Sequence, residues 1–186
     1  MTAMAIQALA PYYKTNETVK AAVDKALEAL SALQRNDGGF GSWGTVNSES
    51  CAQVIVALTA LGIDPAKDSR FVKNDLTVLD ALASFYVTGG GFKHVADKGR
   101  DGMATEQGYY ALASYYRFLN GQTSLYDMSD VTVQTAGNTG GGNSGNGTNN
   151  GGTPATGDTG VLVWVIALPV TILAAAFVLK RKEREA

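Results

Sequence analysis

The sequence has very few of the residues from which most catalytic and metal sites are built. One cysteine, Cys51, and one histidine, His94, are present among 186 residues. A single cysteine excludes an intrachain disulfide framework. The formal net charge is −2, and no basic, aromatic-rich patch interrupts the chain. The composition therefore predicts neither a disulfide scaffold nor a nucleic-acid partner.

The C-terminal end carries the one long hydrophobic run. Residues 161–179 contain no charge, and the basic residues Lys180, Arg181, Lys182 and Arg184 follow directly. A run of this length is close to what a helix needs to cross the hydrocarbon core of a bilayer. Basic residues after a span favour a cytoplasmic C-terminus. The pattern predicts a transmembrane helix at 161–179, with the preceding residues outside the cell.

A short motif precedes the hydrophobic run. It consists of Thr153, Pro154, Ala155, Thr156 and Gly157. With the span and the basic tail, it makes 154–186 resemble the cell-wall sorting signal of Gram-positive surface proteins. The resemblance implies that a sortase cleaves after Thr156 and joins the chain to peptidoglycan. Thr153 stands where that family usually has Leu, so a simple single-span membrane anchor is the alternative.

The C-terminal motif predicts an exported protein, whereas the N-terminal residues show no export signal. The first residues show no basic segment followed by an apolar core, so no signal peptide is visible. Because a sorting signal needs an export signal, we expect the chain to be the C-terminal fragment of a longer exported protein, or its start to be misassigned. Residues 127–153 are rich in Gly, Asn and Thr, which predicts a flexible linker between a folded domain and the anchor.

Helical periodicity runs through residues 1–126. Val19, Val23, Ala26, Leu30 and Leu33 recur at helical spacing and predict an amphipathic helix with these side chains on its apolar face. The segment 51–61 is apolar on nearly every side and predicts a buried helix. Further helices are predicted over 76–86, with an amphipathic pattern, and over 104–119, with a more buried one.

The predicted buried helices repeat one another. Thr2, Cys51 and Thr105 each begin a similar segment that reaches an Ala-Leu pair at the same spacing. A Gly-Gly-Phe turn, at 38–40 and again at 90–92, follows each amphipathic helix and leads into a buried one. Paired glycines favour tight reversals of the chain. The repetition predicts an array of helical hairpins.

These motifs resemble the prenyltransferase and squalene-oxidase repeat family. The resemblance rests on Gln34-Arg35-Asn36-Asp37-Gly38-Gly39-Phe40, on Ser48-Glu49-Ser50-Cys51-Ala52-Gln53, and on Gly90-Gly91-Phe92. It implies an all-α fold in which residues 1–126 form part of an α/α toroid. The chain holds too few hairpins to close such a ring.

Zinc protein prenyltransferases of this fold imply a candidate metal site. Their Asp-x-Cys pair at the start of an inner helix aligns with Glu49 and Cys51, and both residue types can bind zinc. Their later histidine aligns near Ala104, whereas His94 lies earlier, in the connecting loop. We therefore expect no metal and no cofactor, and an exposed loop position for His94.

The remaining roles follow from the same alignment. We expect Glu49 to lie in the first turn of a helix capped by Ser48 or Ser50, and Cys51 to be a small packing residue. Terpene cyclases need a D-x-D-D acid, which the sequence lacks. Thioester domains need a Cys three residues before Gln107, where Ala104 stands. Gln107 is therefore expected to be a hydrogen-bonding helix residue.

Cobalamin carriers share the toroid, which raises the question of a flat or apolar ligand. Six aromatic residues are candidates for the inner surface: Trp43, Tyr86, Tyr109, Tyr110, Tyr115 and Tyr116. Aromatic residues at helical spacing more commonly form core. The ligand-binding residues stay unassigned, and no catalytic residue is identified. The sequence predicts a non-catalytic, surface-anchored binding module for an apolar or corrinoid-like ligand. The alternative is a prenyltransferase or cyclase whose catalytic residues lie upstream.

Overall fold

Five α-helices dominate the computed structural model, which describes residues 1–132. They are α1 (Thr2–Leu9), α2 (Glu17–Leu33), α3 (Ser48–Ala60), α4 (Val78–Ser84) and α5 (Gly102–Leu119). Short 3₁₀ helices occupy Ala10–Tyr12 and Ser69–Phe71. About half of the described residues are helical, so the predicted helical character is confirmed.

The C-terminal predictions fall outside the described residues. Residues 133–186, which are not described, contain the sorting motif at 153–157, the span at 161–179 and most of the linker predicted over 127–153. Within residues 1–132, no helix combines the length and hydrophobicity that crossing a membrane requires.

Three two-stranded antiparallel hairpins interrupt the helices. They pair β1 (Gly41–Ser42) with β2 (Thr45–Val46), β3 (Val72–Lys73) with β4 (Leu76–Thr77), and β5 (Phe92–Lys93) with β6 (Arg100–Asp101). Each hairpin lies directly before a helix, namely α3, α4 and α5. The all-α prediction omitted these strands, because two-residue strands leave no alternating pattern in the sequence.

Polar side chains fix where the helices begin. The Asn47 side chain accepts a hydrogen bond from the Ser50 backbone N–H at 2.8 Å and caps α3. The prediction that Ser48 or Ser50 caps this helix is therefore wrong, because the cap is Asn47, the residue before Ser48. Asp101 caps α5 in the same way, accepting from the Ala104 N–H at 2.8 Å. Each cap satisfies a backbone donor that the first helical turn leaves unpaired.

The helix predicted over 76–86 is shorter than expected. Thr77 and Asp80 form a reciprocal capping box, so α4 begins only at Val78. Leu76 and Thr77 instead pair with β3 across a turn at Asn74 and Asp75, whose φ angles of 50° and 62° are left-handed. Asn and Asp tolerate this conformation, which is why the chain reverses there.

Helix α3 is the centre of the core. It packs against α1, α4 and α5, while α2 packs against α1. Nine of its residues are buried, which confirms the prediction of a buried helix: Ser48, Cys51, Ala52, Val54, Ile55, Val56, Ala57, Leu58 and Thr59. Thr59 Oγ1 and Ser114 Oγ lie 2.6 Å apart, and this hydrogen bond joins α3 to α5.

Helix α2 confirms the predicted amphipathic pattern in part. Val23 and Leu30 are buried, Val19 and Ala26 are half-buried, and Leu27, which was not predicted, is buried beside them. Leu33 was placed on the same apolar face, but it is 65% exposed. It is the last residue of α2, beyond the part of the helix that is covered, and it borders an open groove.

The two Gly-Gly-Phe turns have equivalent contacts. Phe40 and Phe92 are both buried. Cys51 Sγ accepts a hydrogen bond from the Phe40 N–H at 3.4 Å, and Thr105 Oγ1 accepts one from the Phe92 N–H at 3.0 Å. The alignment of Cys51 with Thr105 as equivalent repeat positions is therefore confirmed.

Candidate functional site

An open groove of about 650 Å³ lies where the N-terminal ends of α1, α3 and α5 meet. Its polar lining includes the side chains of Asn47, Glu49, Gln53, His94 and Gln107. Four large apolar side chains that border it are exposed: Met1, Met4, Leu33 and Met103. The groove therefore combines hydrogen-bonding groups with adaptable apolar ones, which is the composition of many small-molecule sites.

A chain of glutamine side chains joins the three helices beside this groove. Gln7 Nε2 donates to Gln53 Oε1 at 2.9 Å and to the Gln53 backbone carbonyl at 2.8 Å. Gln53 Nε2 in turn donates to Gln107 Oε1 at 3.1 Å. All three side chains are half-buried. The predicted hydrogen-bonding role of Gln107 is confirmed, and α1, α3 and α5 are linked by neutral amides.

Tyr110 extends the amide chain on α5. Its hydroxyl accepts a short hydrogen bond from Gln53 Nε2 and lies 3.4 Å from Gln107 Oε1 as a donor. Burial raises the pKa of Tyr110 to about 12. The phenol therefore stays protonated at neutral pH and keeps both its donor and its acceptor roles. The polar part of the site is uncharged here, which favours neutral polar ligand groups over ions.

Glu49 and His94 form an ionisable pair in the groove, which Arg35 also lines. His94 Nδ1 lies 2.8 Å from both carboxylate oxygens of Glu49. The Ser48 backbone N–H donates to the His94 carbonyl at 3.1 Å and holds the loop after β5 against the start of α3. His94 is exposed, as predicted, but its pairing with Glu49 was missed. The two residues are far apart in sequence, so no local pattern could reveal the pair.

Cys51 does not join this pair. Its side chain is fully buried against the backbone of Phe40, where Sγ also donates to the Phe40 carbonyl at 3.8 Å. Burial raises the pKa of the Cys51 thiol to about 12, which disfavours the thiolate that zinc binding requires. Cys51 is a packing residue, as predicted. Within residues 1–132, no group of three or more His, Cys, Asp and Glu side chains could hold a metal ion.

None of the six candidate aromatic residues lines the groove. Tyr86 and Tyr109 each pack edge-to-face on the buried Phe92 ring, with centroids 5.6 Å apart. Tyr115 donates to Asp64 Oδ1 at 3.4 Å and stacks on Phe118. These are packing contacts of partly exposed side chains, and Tyr86 is 39% exposed.

Trp43 departs furthest from the prediction. It occupies the turn between β1 and β2, and its side chain is fully exposed, at 103%. The sequence made it one candidate for the inner surface of a toroid, with a core position as the more common role, and it occupies neither a buried position nor the groove lining. Its neighbours Ser42 and Gly44 line the groove, but the indole stands in solvent.

Comparison with known proteins yields no similarity that assigns a function. No family model matches the sequence, and neither a curated protein nor a solved structure matches it.

Proposed function

We propose that this chain is a non-catalytic binding module on the surface of a Gram-positive bacterium. Residues 1–126 would form part of an α/α toroid, in which α1, α3 and α5 are inner helices. Two observations support this arrangement: α3 packs against both α1 and α5, and Cys51 and Thr105 make equivalent contacts with two Gly-Gly-Phe turns. Because the toroid fold hosts unrelated activities, the site has to carry the functional argument.

The groove at the N-terminal ends of α1, α3 and α5 is the proposed binding site. The observation that carries the proposal is the amide chain through Gln7, Gln53 and Gln107 beside exposed methionines. An amide offers both donors and acceptors, and a thioether side chain adapts to irregular apolar surfaces. An amphipathic ring-shaped ligand with its own amide groups complements both features. We therefore propose a corrinoid-like ligand, in preference to a purely apolar one.

Calorimetric titration of the full chain in detergent with cyanocobalamin tests this proposal. We expect saturable one-to-one binding, and Gln53→Ala should weaken it by roughly fivefold to tenfold, because a neutral hydrogen bond contributes about 1 kcal/mol. Gln122→Ala is the matched control, since Gln122 is exposed and does not line the groove. Farnesol serves as a purely apolar probe. Binding of farnesol alone would contradict the corrinoid-like class, and binding of neither probe would contradict a ligand-binding role.

We further propose that the chain is attached to the cell wall through Thr156 and is exposed outside the cell. The supporting observation is the order of motif 153–157, apolar run 161–179 and basic tail in the sequence. A retained membrane helix at 161–179 is the alternative. Thr156→Ala should move the protein from the wall fraction to the membrane fraction, whereas Thr159→Ala, just outside the motif, should not. Identical fractionation of wild type and Thr156→Ala would mean that no sortase acts here.

An enzyme of the prenyltransferase or cyclase group, with its catalytic residues upstream, is the second candidate. One observation favours it: Glu49 and His94, two residues of zinc-binding type, are in contact at the edge of the groove. The burial of Cys51 away from them argues against a metal site. Metal analysis of the purified protein should therefore find no stoichiometric zinc. One zinc per chain, lost in His94→Ala, would favour the enzyme.

A further inference from the structure

Trp43 occupies a backbone position that does not suit it. Trp43 and Gly44 form the two-residue turn between β1 and β2, with φ angles of 51° and 82°. Turns of this kind favour Asn, Asp and Gly, because a Cβ in the left-handed region is close to its own backbone. A bulky aromatic residue at the first turn position is therefore unfavourable for the fold.

A second hairpin of the chain has residues that suit this turn geometry. The β3–β4 hairpin has the same two-residue turn, with Asn74 and Asp75 at φ angles of 50° and 62°. Trp43 and Asn74 therefore hold equivalent positions. The hairpin beside the groove carries tryptophan where the other carries a residue suited to the turn.

Burial does not explain Trp43 either. Its side chain is fully exposed, so the fold gains no packing energy from the indole. Isolated exposed apolar residues are ordinary, but tryptophan combines exposure here with an unfavourable backbone conformation. Trp43 thus has an unfavourable backbone conformation and an indole that packs on nothing in the chain. Both features point to a contact between the indole and another molecule.

The position of the hairpin identifies that contact. Gly41 and Ser42 of β1 and Gly44 of the turn line the groove, so Trp43, between Ser42 and Gly44, lies next to this part of its wall. Arg35 Nη1 donates to the Gly44 carbonyl at 3.5 Å and connects the tip to the end of α2. A free indole can rotate among its staggered side-chain conformations without any change in the backbone.

We infer that Trp43 is a ligand-contacting residue whose indole stacks on the ring face of the molecule held in the groove. The inference rests on the proposed function, because it needs a ligand that lies on the amides of Gln53 and Gln107 and rises above the groove wall. A stacked indole restricts the class of ligand to molecules that have a flat ring face. A linear polar or purely aliphatic molecule would leave the indole without a partner.

The decisive variant is Trp43→Asn, because the inference predicts opposite effects on stability and on binding. Asn suits the left-handed turn, so the melting temperature of the full chain in detergent should rise. Affinity for cyanocobalamin should fall by about fivefold to tenfold, the scale of a lost aromatic contact. Trp43→Phe keeps a ring and should lose less affinity than Trp43→Asn.

Asn74→Trp is the matched control, because it places the same side chain on the equivalent turn away from the groove lining. It should leave the affinity for cyanocobalamin unchanged. Unchanged affinity in Trp43→Asn, with normal binding by wild type, would overturn the role of Trp43 and leave the proposed function intact. A lower melting temperature for Trp43→Asn would also overturn it, since tryptophan would then serve the fold. Absence of binding by wild type would overturn both proposals.

Discussion

Cys51 and Phe40 are joined by two hydrogen bonds, with Sγ accepting from the Phe40 N–H at 3.4 Å and donating to the Phe40 carbonyl at 3.8 Å. Thr105 makes the corresponding pair of bonds with Phe92, at 3.0 Å and 3.4 Å. In each repeat, a small polar side chain at the start of a buried helix thus fixes the turn that places a phenylalanine in the core.

We expect Cys51→Ala to lower the free energy of unfolding by about 1–3 kcal/mol, because the buried Phe40 N–H would lose its acceptor. Cys51→Ser supplies a hydroxyl, the group that Thr105 uses, and should cost less. Urea unfolding of both variants, followed by circular dichroism, measures the difference. Equal losses in the two variants would mean that packing volume, rather than the hydrogen bonds, explains the role of Cys51.

The Cys51 thiol should be unreactive in the native protein. It is fully buried, and its pKa is raised to about 12, so the thiolate that attacks alkylating reagents is scarce at neutral pH. Treatment with iodoacetamide followed by mass spectrometry should show no modification until urea is added. Rapid alkylation of the native chain would contradict the buried position of Cys51.

Gly108→Ala should destabilise the protein although alanine favours helices. A Cβ at position 108 would lie 2.4 Å from the ring of the buried Phe92. Overpacking of this kind costs typically 1–3 kcal/mol, more than the gain of about 1 kcal/mol in helix propensity.

Gly102→Ala is the control for this prediction. Gly102 lies in the same helix, and a Cβ there would have no neighbour within 4 Å. This variant should be neutral or slightly more stable than wild type. The melting temperatures of the two variants test whether the Phe92 ring leaves room for a Cβ at position 108. A stabilised Gly108→Ala would show that α5 does not pack closely on Phe92.

High pH should destabilise the fold through Tyr110 and Tyr115. Burial is the main reason that the pKa of each is raised from 10.0 to about 12, so the folded state favours the neutral phenol. A raised pKa gives stability that is fully present below pH 10 and is lost as the pH rises towards 12.

Urea unfolding between neutral pH and pH 11 tests this dependence. The wild type should lose stability more steeply above pH 10 than a Tyr110→Phe, Tyr115→Phe double variant, because phenylalanine does not ionise. Parallel curves for the two proteins would show that neither phenol is held in its neutral form by the fold.

Local patterns in the sequence correctly identified the helical elements. The apolar periodicity around Val23 and Leu30 placed α2, and the apolar segment from Cys51 placed α3. The Gly-Gly-Phe turns located the reversals, because paired glycines and a following core phenylalanine are a short-range signal. The same alignment paired Cys51 with Thr105, which the contacts to Phe40 and Phe92 confirm.

Tertiary packing alone decided the composition of the groove. Gln53 meets Gln7 and Gln107 across separations of 46 and 54 residues, and His94 meets Glu49 across 45. Such contacts depend on how α1, α3 and α5 lie beside one another, and periodicity within a helix carries no information about that arrangement. The sequence by itself determined which segments are helical and which faces are apolar. The packing of those faces then determined which polar side chains meet.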